Sequence, residues 1–390
     1  MTYFSLWPTF FVTLFLLVLI MYLPVPIKKI ESGTHIRYRS IDGMRGYLAL
    51  AVVFTHSQGL YAIIRFNRLI ENPSSMYSQL GTMAVHLFFM ITSYLFWTKL
   101  LNNQGKNEWK QFYLRRLFRL APLYWLAVFC VVLIVMIESG WQLKVSVNRF
   151  VFQIMSWLAL GVLPLPDINN RYASFMILFG VTWTLKYEWF YYCMLFPLSF
   201  MARSFLRSLI FCLFLLFILY GLDQYVYVSP TYKQFMHVFF TFTVGMLCAT
   251  VHHRYACRIK LNPLISCITA LLILAVLLVK AESLDSLRSI LYGLILFCVA
   301  SGDNFFGVLT FPGSLKLGAV SYDIYLLQGL VFQTVLNIKP LGGFAVASPY
   351  NYWLMVWLIC SVLMVFAVLA HRLIEKPGIN IGNKIIKELF

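Results

Sequence analysis

Ser40-Ile41-Asp42-Gly43-Met44-Arg45-Gly46-Tyr47-Leu48-Ala49-Leu50-Ala51-Val52-Val53-Phe54-Thr55-His56 is the stretch from which the fold can be read. An arginine and a histidine bracket ten mostly apolar residues. At about 100° and 1.5 Å per residue, the steps from Arg45 to His56 make roughly three helical turns, so both side chains share one face about 16 Å apart. With Arg45 at a membrane surface, His56 lies near mid-bilayer. An ionisable group at that depth costs several kcal/mol unless it faces a polar cavity or a partner, which makes His56 a functional-site candidate. The plainer alternative is a buried histidine bonded to a neighbouring helix.

The rest of the chain agrees that the stretch is a membrane helix. Of 390 residues, 61% are hydrophobic and only 12% charged, with a mean hydropathy of +0.79. That leaves too little polar surface to cover a water-soluble globule, so the expected fold is an all-α, polytopic transmembrane bundle. A net charge of +17 could suggest a nucleic-acid binder, but the cations fall between apolar runs and read as a topology signal, with no nucleic acid as partner. The eight cysteines are scattered singly, without a CxxC pair, and read as apolar packing residues, neither disulfides nor metal ligands.

Runs long enough to span lie near 3–24, 46–64, 79–100, 120–137, 174–200, 208–222, 235–252, 262–280, 289–310, 317–337 and 350–371, about eleven spans. The run 149–165 ends in Leu163-Pro164-Leu165-Pro166 and reads as interfacial or re-entrant. Residues 3–24 lack a basic n-region and an A-x-A exit, so they read as an uncleaved signal anchor. Alternate loops carry most of the cations, among them Lys28, Lys29, Lys99, Arg115, Arg116, Arg119, Arg203, Arg207, Arg254, Arg258, Lys260 and Lys316. The opposite loops hold few, including Arg65, Arg68, Lys144, Lys233, Lys280 and Lys339. The positive-inside bias then places the N-terminus outside and the C-terminus in the cytoplasm. Residues 1–39 form an extra N-terminal helix with a basic loop, 40–377 the main membrane domain and 378–390 a cytoplasmic tail. No pair of matched broken helices in two halves marks an inverted-repeat transporter.

Ser40–His56 resembles the first helix of the membrane acyltransferase 3 family, whose signature is arginine, ten residues, histidine. Further stretches resemble the same family in the same order. Ala84-Val85-His86-Leu87-Phe88-Phe89-Met90-Ile91-Thr92-Ser93-Tyr94-Leu95 is similar to its Phe-Phe-x-x-Ser-Gly-Phe segment, and Phe112-Tyr113-Leu114-Arg115-Arg116-Leu117-Phe118-Arg119-Leu120-Ala121-Pro122 to its basic segment. Thr182-Trp183-Thr184-Leu185-Lys186-Tyr187-Glu188 resembles its Trp-Ser-Leu-x-x-Glu helix. Ser321-Tyr322-Asp323-Ile324-Tyr325-Leu326-Leu327-Gln328 resembles its Ser-Tyr-x-x-Tyr-Leu-x-His helix, and Arg372-Leu373-Ile374-Glu375-Lys376-Pro377 its usual close. Tyr94 stands where the family has glycine, Thr184 where it has serine and Gln328 where it often has histidine.

The resemblance implies an integral-membrane O-acyltransferase of the bacterial inner membrane. It would move an acyl group, commonly acetyl from acetyl-CoA as co-substrate and without a metal, to a hydroxyl of a glycan or lipid-linked glycan such as O-antigen. The chemistry of the residues agrees, since a sugar hydroxyl is a poor nucleophile at neutral pH and a neutral imidazole can take its proton. That role falls to His56. Arg45 offers a planar fork for a phosphate of CoA, with Asp42 either orienting a cation or simply pairing with it. Arg115, Arg116 and Arg119 lie within about one and a half turns and read as a phosphate grip or as a positive-inside anchor. Lys186 and Glu188 sit near the start of a span entered from outside, a depth that favours contact with the acceptor or a structural ion pair over contact with CoA. Ser93, Tyr187, Tyr322 and Tyr325 could line a tunnel, the tyrosines alternatively serving at the membrane interface or in helix packing, with His86 as a further lining residue and His252-His253 solvated in a basic loop. Two alternatives stay open: an acyltransferase acting on peptidoglycan or a small molecule, and a transporter or flippase with His56 as proton relay.

Overall fold

The computed structural model describes residues 5–25, 36–66, 75–225, 229–255, 263–278 and 285–390. The loop cations Lys28, Lys29, Arg68, Arg258, Lys260 and Lys280 lie outside them. The described residues are helical, with no strand among them. The helices are α1 (Trp7–Tyr22), α2 (Ile36–Phe66), α3 (Ser75–Asn102), α4 (Trp109–Glu138), α5 (Val147–Leu158), α6 (Trp183–Leu198), α7 (Phe205–Tyr225), α8 (Pro230–Tyr255), α9 (Pro263–Leu278), α10 (Asp285–Ala300), α11 (Pro312–Ala319), α12 (Ser321–Leu336), α13 (Lys339–Ala347), α14 (Pro349–Ala370) and α15 (Lys376–Leu389).

Among the described residues, five of the eleven hydrophobic runs become helices long and apolar enough to cross a membrane, within α3, α4, α7, α8 and α14. A sixth is the pair α11 and α12, bent by 67° at Val320. Helices α1, α9 and α10 are apolar but only 16 residues long, about 24 Å against a hydrocarbon core of about 30 Å. Run 174–200 is broken, with a 3-10 turn over Ser174–Leu178 ahead of α6. Helix α5, with 12 residues, is too short to cross and exposes Val147, Val151, Phe152 and Met155 while burying Gln153, Ser156 and Trp157, as an interfacial helix does. The tail is not free chain: α15 packs on the start of α4, where Gly378 and Gly382 bring its backbone against Phe118 and Pro122.

Helix α2 is the axis of the bundle. Its Ala49, Leu50 and Val53 belong to one buried core shared with α4, α12 and α14. Its Leu48, Ala51 and Val52 belong to a second, shared with α3, α8 and α10. A helix apolar on every side is buried on every side, and only its polar ends remain to line anything. The large exposed apolar side chains, such as Phe10, Phe129, Phe214 and Phe217, point outward from α1, α4 and α7, where lipid is the solvent that suits them. Close crossings depend on glycine. A Cβ on Gly318 of α11 would lie 1.9 Å from the Asp42 carbonyl oxygen, and one on Gly43 would lie 1.8 Å from that of Leu309. These contacts fix α2 beside α11 and so place Arg45.

Candidate functional site

A cavity of about 130 Å³ opens between α2, α3, α4, α6 and α12. Its wall is apolar, with Phe88, Phe89, Ile91, Leu95, Phe96 and Leu185, but Arg45, Arg116 and Arg119 enter it together with a single carboxylate, Glu188. Glu375 pairs with Arg119 from behind the wall, which leaves Arg45 and Arg116 facing Glu188 in an apolar setting, where an anion is held far more strongly than in water. Arg116 lies 5.0 Å from the centroid of the Phe96 ring, and its Nε is buried with no hydrogen-bond partner among the described residues.

The helical period sorts the basic segment. Arg116 and Arg119, three apart, share the face turned to the cavity, whereas Arg115 lies about 100° round the helix. Arg115 is exposed and donates to Gln111 Oε1 at 2.7 Å, outside the cavity. The expected cluster of three is therefore a pair, joined by Arg45 from α2.

Glu188 lines the cavity of the arginines, and Tyr192 one turn later donates a hydrogen bond to it. The physical reason is the entry of α6. Residues 159–182 fold inward as turns, tied by Trp157 Nε1 donating to the Pro166 carbonyl at 2.8 Å and Asn169 Nδ2 to the Gln142 carbonyl at 2.9 Å. Helix α6 thus starts inside the bundle. Lys186 and Tyr187 face the other way, into a second cavity of about 290 Å³ shared with Thr182, Trp183, Thr231 and Gln234. The first turn of α6 is the partition between the two.

Tyr322 and Tyr325 line the first cavity. Tyr322 Oη donates to the Leu120 carbonyl at 2.9 Å, and Tyr325 Oη donates to that of Val181 at 3.3 Å and lies 3.2 Å from Thr184 Oγ1. Ser93 does not line it. Its hydroxyl donates to the Met90 carbonyl at 3.0 Å and packs against Gly245 of α8. Asp42 is exposed and outside the lining. His86 sits among Thr241, Ser289 and Tyr292, between α3, α8 and α10. His252 is buried, not solvated, with Nδ1 2.8 Å from Tyr94 Oη. The tyrosine that replaces a glycine has found its own partner.

His56 lies one turn of α12 beyond the cavity wall. Its Nδ1 is 3.2 Å from Oε1 of Gln328, which follows Tyr325 by three residues, and its ring centroid is 5.2 Å from that of Phe179. Phe179 adopts φ +53°, a left-handed conformation uncommon for an aromatic residue. Gly329, beside Gln328, lets the Leu178 backbone come within 2.5 Å of where a Cβ would be. The inward segment is thus pressed onto α12 at the histidine.

The sequence pattern assigned no role to a buried network behind Arg119. Arg119 Nε is 3.7 Å from Glu375 Oε1, and His371 Nδ1 is 2.8 Å from Glu375 Oε2 and 3.4 Å from Asp323 Oδ2. A π-helical turn over His371–Glu375, between α14 and α15, makes the juxtaposition. The spacing of His371 and Glu375, one turn apart, was the available signal. The three could each lend a metal-ligand atom, all within 4.8 Å of one another, but here the Arg119 guanidinium supplies the positive charge.

An acyltransferase domain family model matches residues 38–372, from α2 into the π turn. No curated protein and no solved structure matches the chain.

Proposed function

The chain belongs to the acyltransferase 3 family of multi-pass membrane proteins, and on that premise we propose that it is an O-acetyltransferase that carries acetyl from acetyl-CoA to a hydroxyl of a cell-envelope polysaccharide such as O-antigen, in a bacterial inner membrane. The observation that carries this reading is the cationic, apolar-walled cavity ending one helical turn from a half-buried histidine. A cavity of about 130 Å³ holds only about four waters at roughly 30 Å³ each. It therefore suits the reactive end of a long donor, with the bulk of CoA outside it. Arg45, Arg116 and Arg119 hold donor oxygens, and Glu188 orients them from the facing helix. Lys186 and Tyr187 line the cavity on the far side of the α6 partition, and in this reading they contact the acceptor.

In the transfer, His56 Nε2 takes the proton of the acceptor hydroxyl as its oxygen bonds to the acyl carbon. The carbon–sulfur bond breaks, and the CoA thiolate leaves and takes the proton from the imidazolium. Ester and CoA thiol are the products, and the histidine is regenerated. Losing general-base help costs about 10²–10⁴-fold. His56→Asn, purified in nanodiscs, is expected to bind acetyl-CoA as the wild type does and to lose transfer by that factor. A variant that binds and still transfers at the wild-type rate removes His56 from the chemistry, and a wild type that neither binds CoA nor releases it points to a transporter with His56 as proton relay. Mass spectrometry of the product separates O-antigen from peptidoglycan or a small-molecule acceptor.

A further inference from the structure

Gln328 is fully buried, and both ends of its amide are engaged. Its Nε2 donates to the Tyr325 backbone carbonyl at 2.9 Å, and its Oε1 lies 3.2 Å from His56 Nδ1. A backbone carbonyl can only accept, which fixes the amide with its nitrogen toward Tyr325 and its oxygen toward the imidazole. An amide oxygen can also only accept. His56 Nδ1 must then carry the hydrogen, and the lone pair of the neutral ring resides on Nε2.

We propose that Gln328 is the positioning residue for His56: it selects the Nδ1–H tautomer and holds the ring so that Nε2 is the atom presented to the acceptor hydroxyl. This rests on the reading of His56 as general base. The surroundings support a held ring. Phe179 packs on it at 5.2 Å, and Gly329 admits the backbone that carries Phe179. Around the imidazole, α12 presents Gln328, the inward segment presents Phe179, and no charged side chain among the described residues bears on it. Glutamine is neutral throughout and neither takes nor returns a proton, so this end of the site titrates through His56 alone.

The test compares Gln328→Leu, Gln328→Glu and His56→Asn in nanodiscs, reading thiol release from acetyl-CoA against pH, with polysaccharide present and with water alone as acceptor. Gln328→Leu leaves Nδ1 without an acceptor, and kcat is expected to fall roughly 10–100-fold, the range seen when metal-bound histidines lose their orienting partner, while KM for acetyl-CoA holds. Gln328→Glu keeps an acceptor but adds a charge that favours the imidazolium. Its alkaline kcat should stay near wild type while the acid limb of the rate profile moves up by about one pH unit or more. The glutamate limb reads the contact between position 328 and the imidazole, and the fall of kcat at unchanged KM in the leucine variant reads the orienting role. Wild-type kcat in the leucine variant, or an unmoved limb in the glutamate variant, overturns the role of Gln328 while an inactive His56→Asn leaves the base in place. Full activity of His56→Asn overturns the base itself. If the leucine variant does not fold, Gln328→Ala, which equally lacks an acceptor for Nδ1, takes its place.

Discussion

At the scale of single residues, the angle between neighbours on a helix divides groups that look equivalent in sequence. Arg115 and Arg116 are adjacent in the chain, yet only Arg116 reaches the cavity, and Arg119 joins it from one turn on. Replacing arginine by lysine keeps charge but loses the planar fork, and a charge-assisted hydrogen bond is worth about 1.5–3 kcal/mol. Arg116→Lys and Arg119→Lys should therefore each raise the apparent KM for acetyl-CoA roughly tenfold or more, whereas Arg115→Lys should leave it unchanged. Steady-state kinetics on the three variants side by side checks this, and an equal effect of all three would mean that the segment acts only as a diffuse positive anchor. The same residue-level geometry returns Ser93 to helix packing and pairs Tyr94 with His252.

At the scale of elements, the site depends on where helices begin and how closely they cross. Helix α6 enters from a folded-in segment, so Glu188 faces the arginines, and α2 meets α11 through Gly43, Gly46 and Gly318. A Cβ on Gly318 would sit 1.9 Å from the Asp42 carbonyl oxygen, which belongs to backbone and cannot swing aside. Gly318→Ala should therefore separate the helices, at the upper end of the roughly 1–3 kcal/mol typical of overpacking or beyond it, and lower the melting temperature of the detergent-solubilised protein. Gly59, on the same α2, has nothing within 4 Å of the place an alanine methyl would take. Gly59→Ala should leave the melting temperature unchanged or raise it, since helical glycine costs about 0.5–1 kcal/mol relative to alanine. A loss at Gly59 equal to that at Gly318 would remove the α2–α11 crossing as the cause, since alanine improves helix propensity at both positions.

At the scale of the whole molecule, the loop charges alternate along the chain, and the positive-inside bias predicts a cytoplasmic C-terminus. A reporter fused after Phe390 should register cytoplasm and one inserted within 223–234 the outside; the opposite pattern would put Arg45, Arg116 and Arg119 on the side away from cytoplasmic CoA. The class of the molecule and the residues at stake are written in the chain itself, because apolar composition, helical period and motif order are local properties: an all-helical membrane protein, Arg45 and His56 on one face of α2, Arg116 and Arg119 on one face of α4, Tyr322 and Tyr325 on α12. Only the tertiary structure decided which of these meet. Glu188 joins the arginines, Glu375 and His371 stand behind Arg119, and Gln328 holds His56, all of them contacts between residues distant in the chain, 272 residues apart in the last case. They follow from a broken entry to α6, a π turn after α14 and a 67° bend before α12. Such breaks set the direction of whole helices, and hydrophobic periodicity, which sees only one helix at a time, carries no record of them.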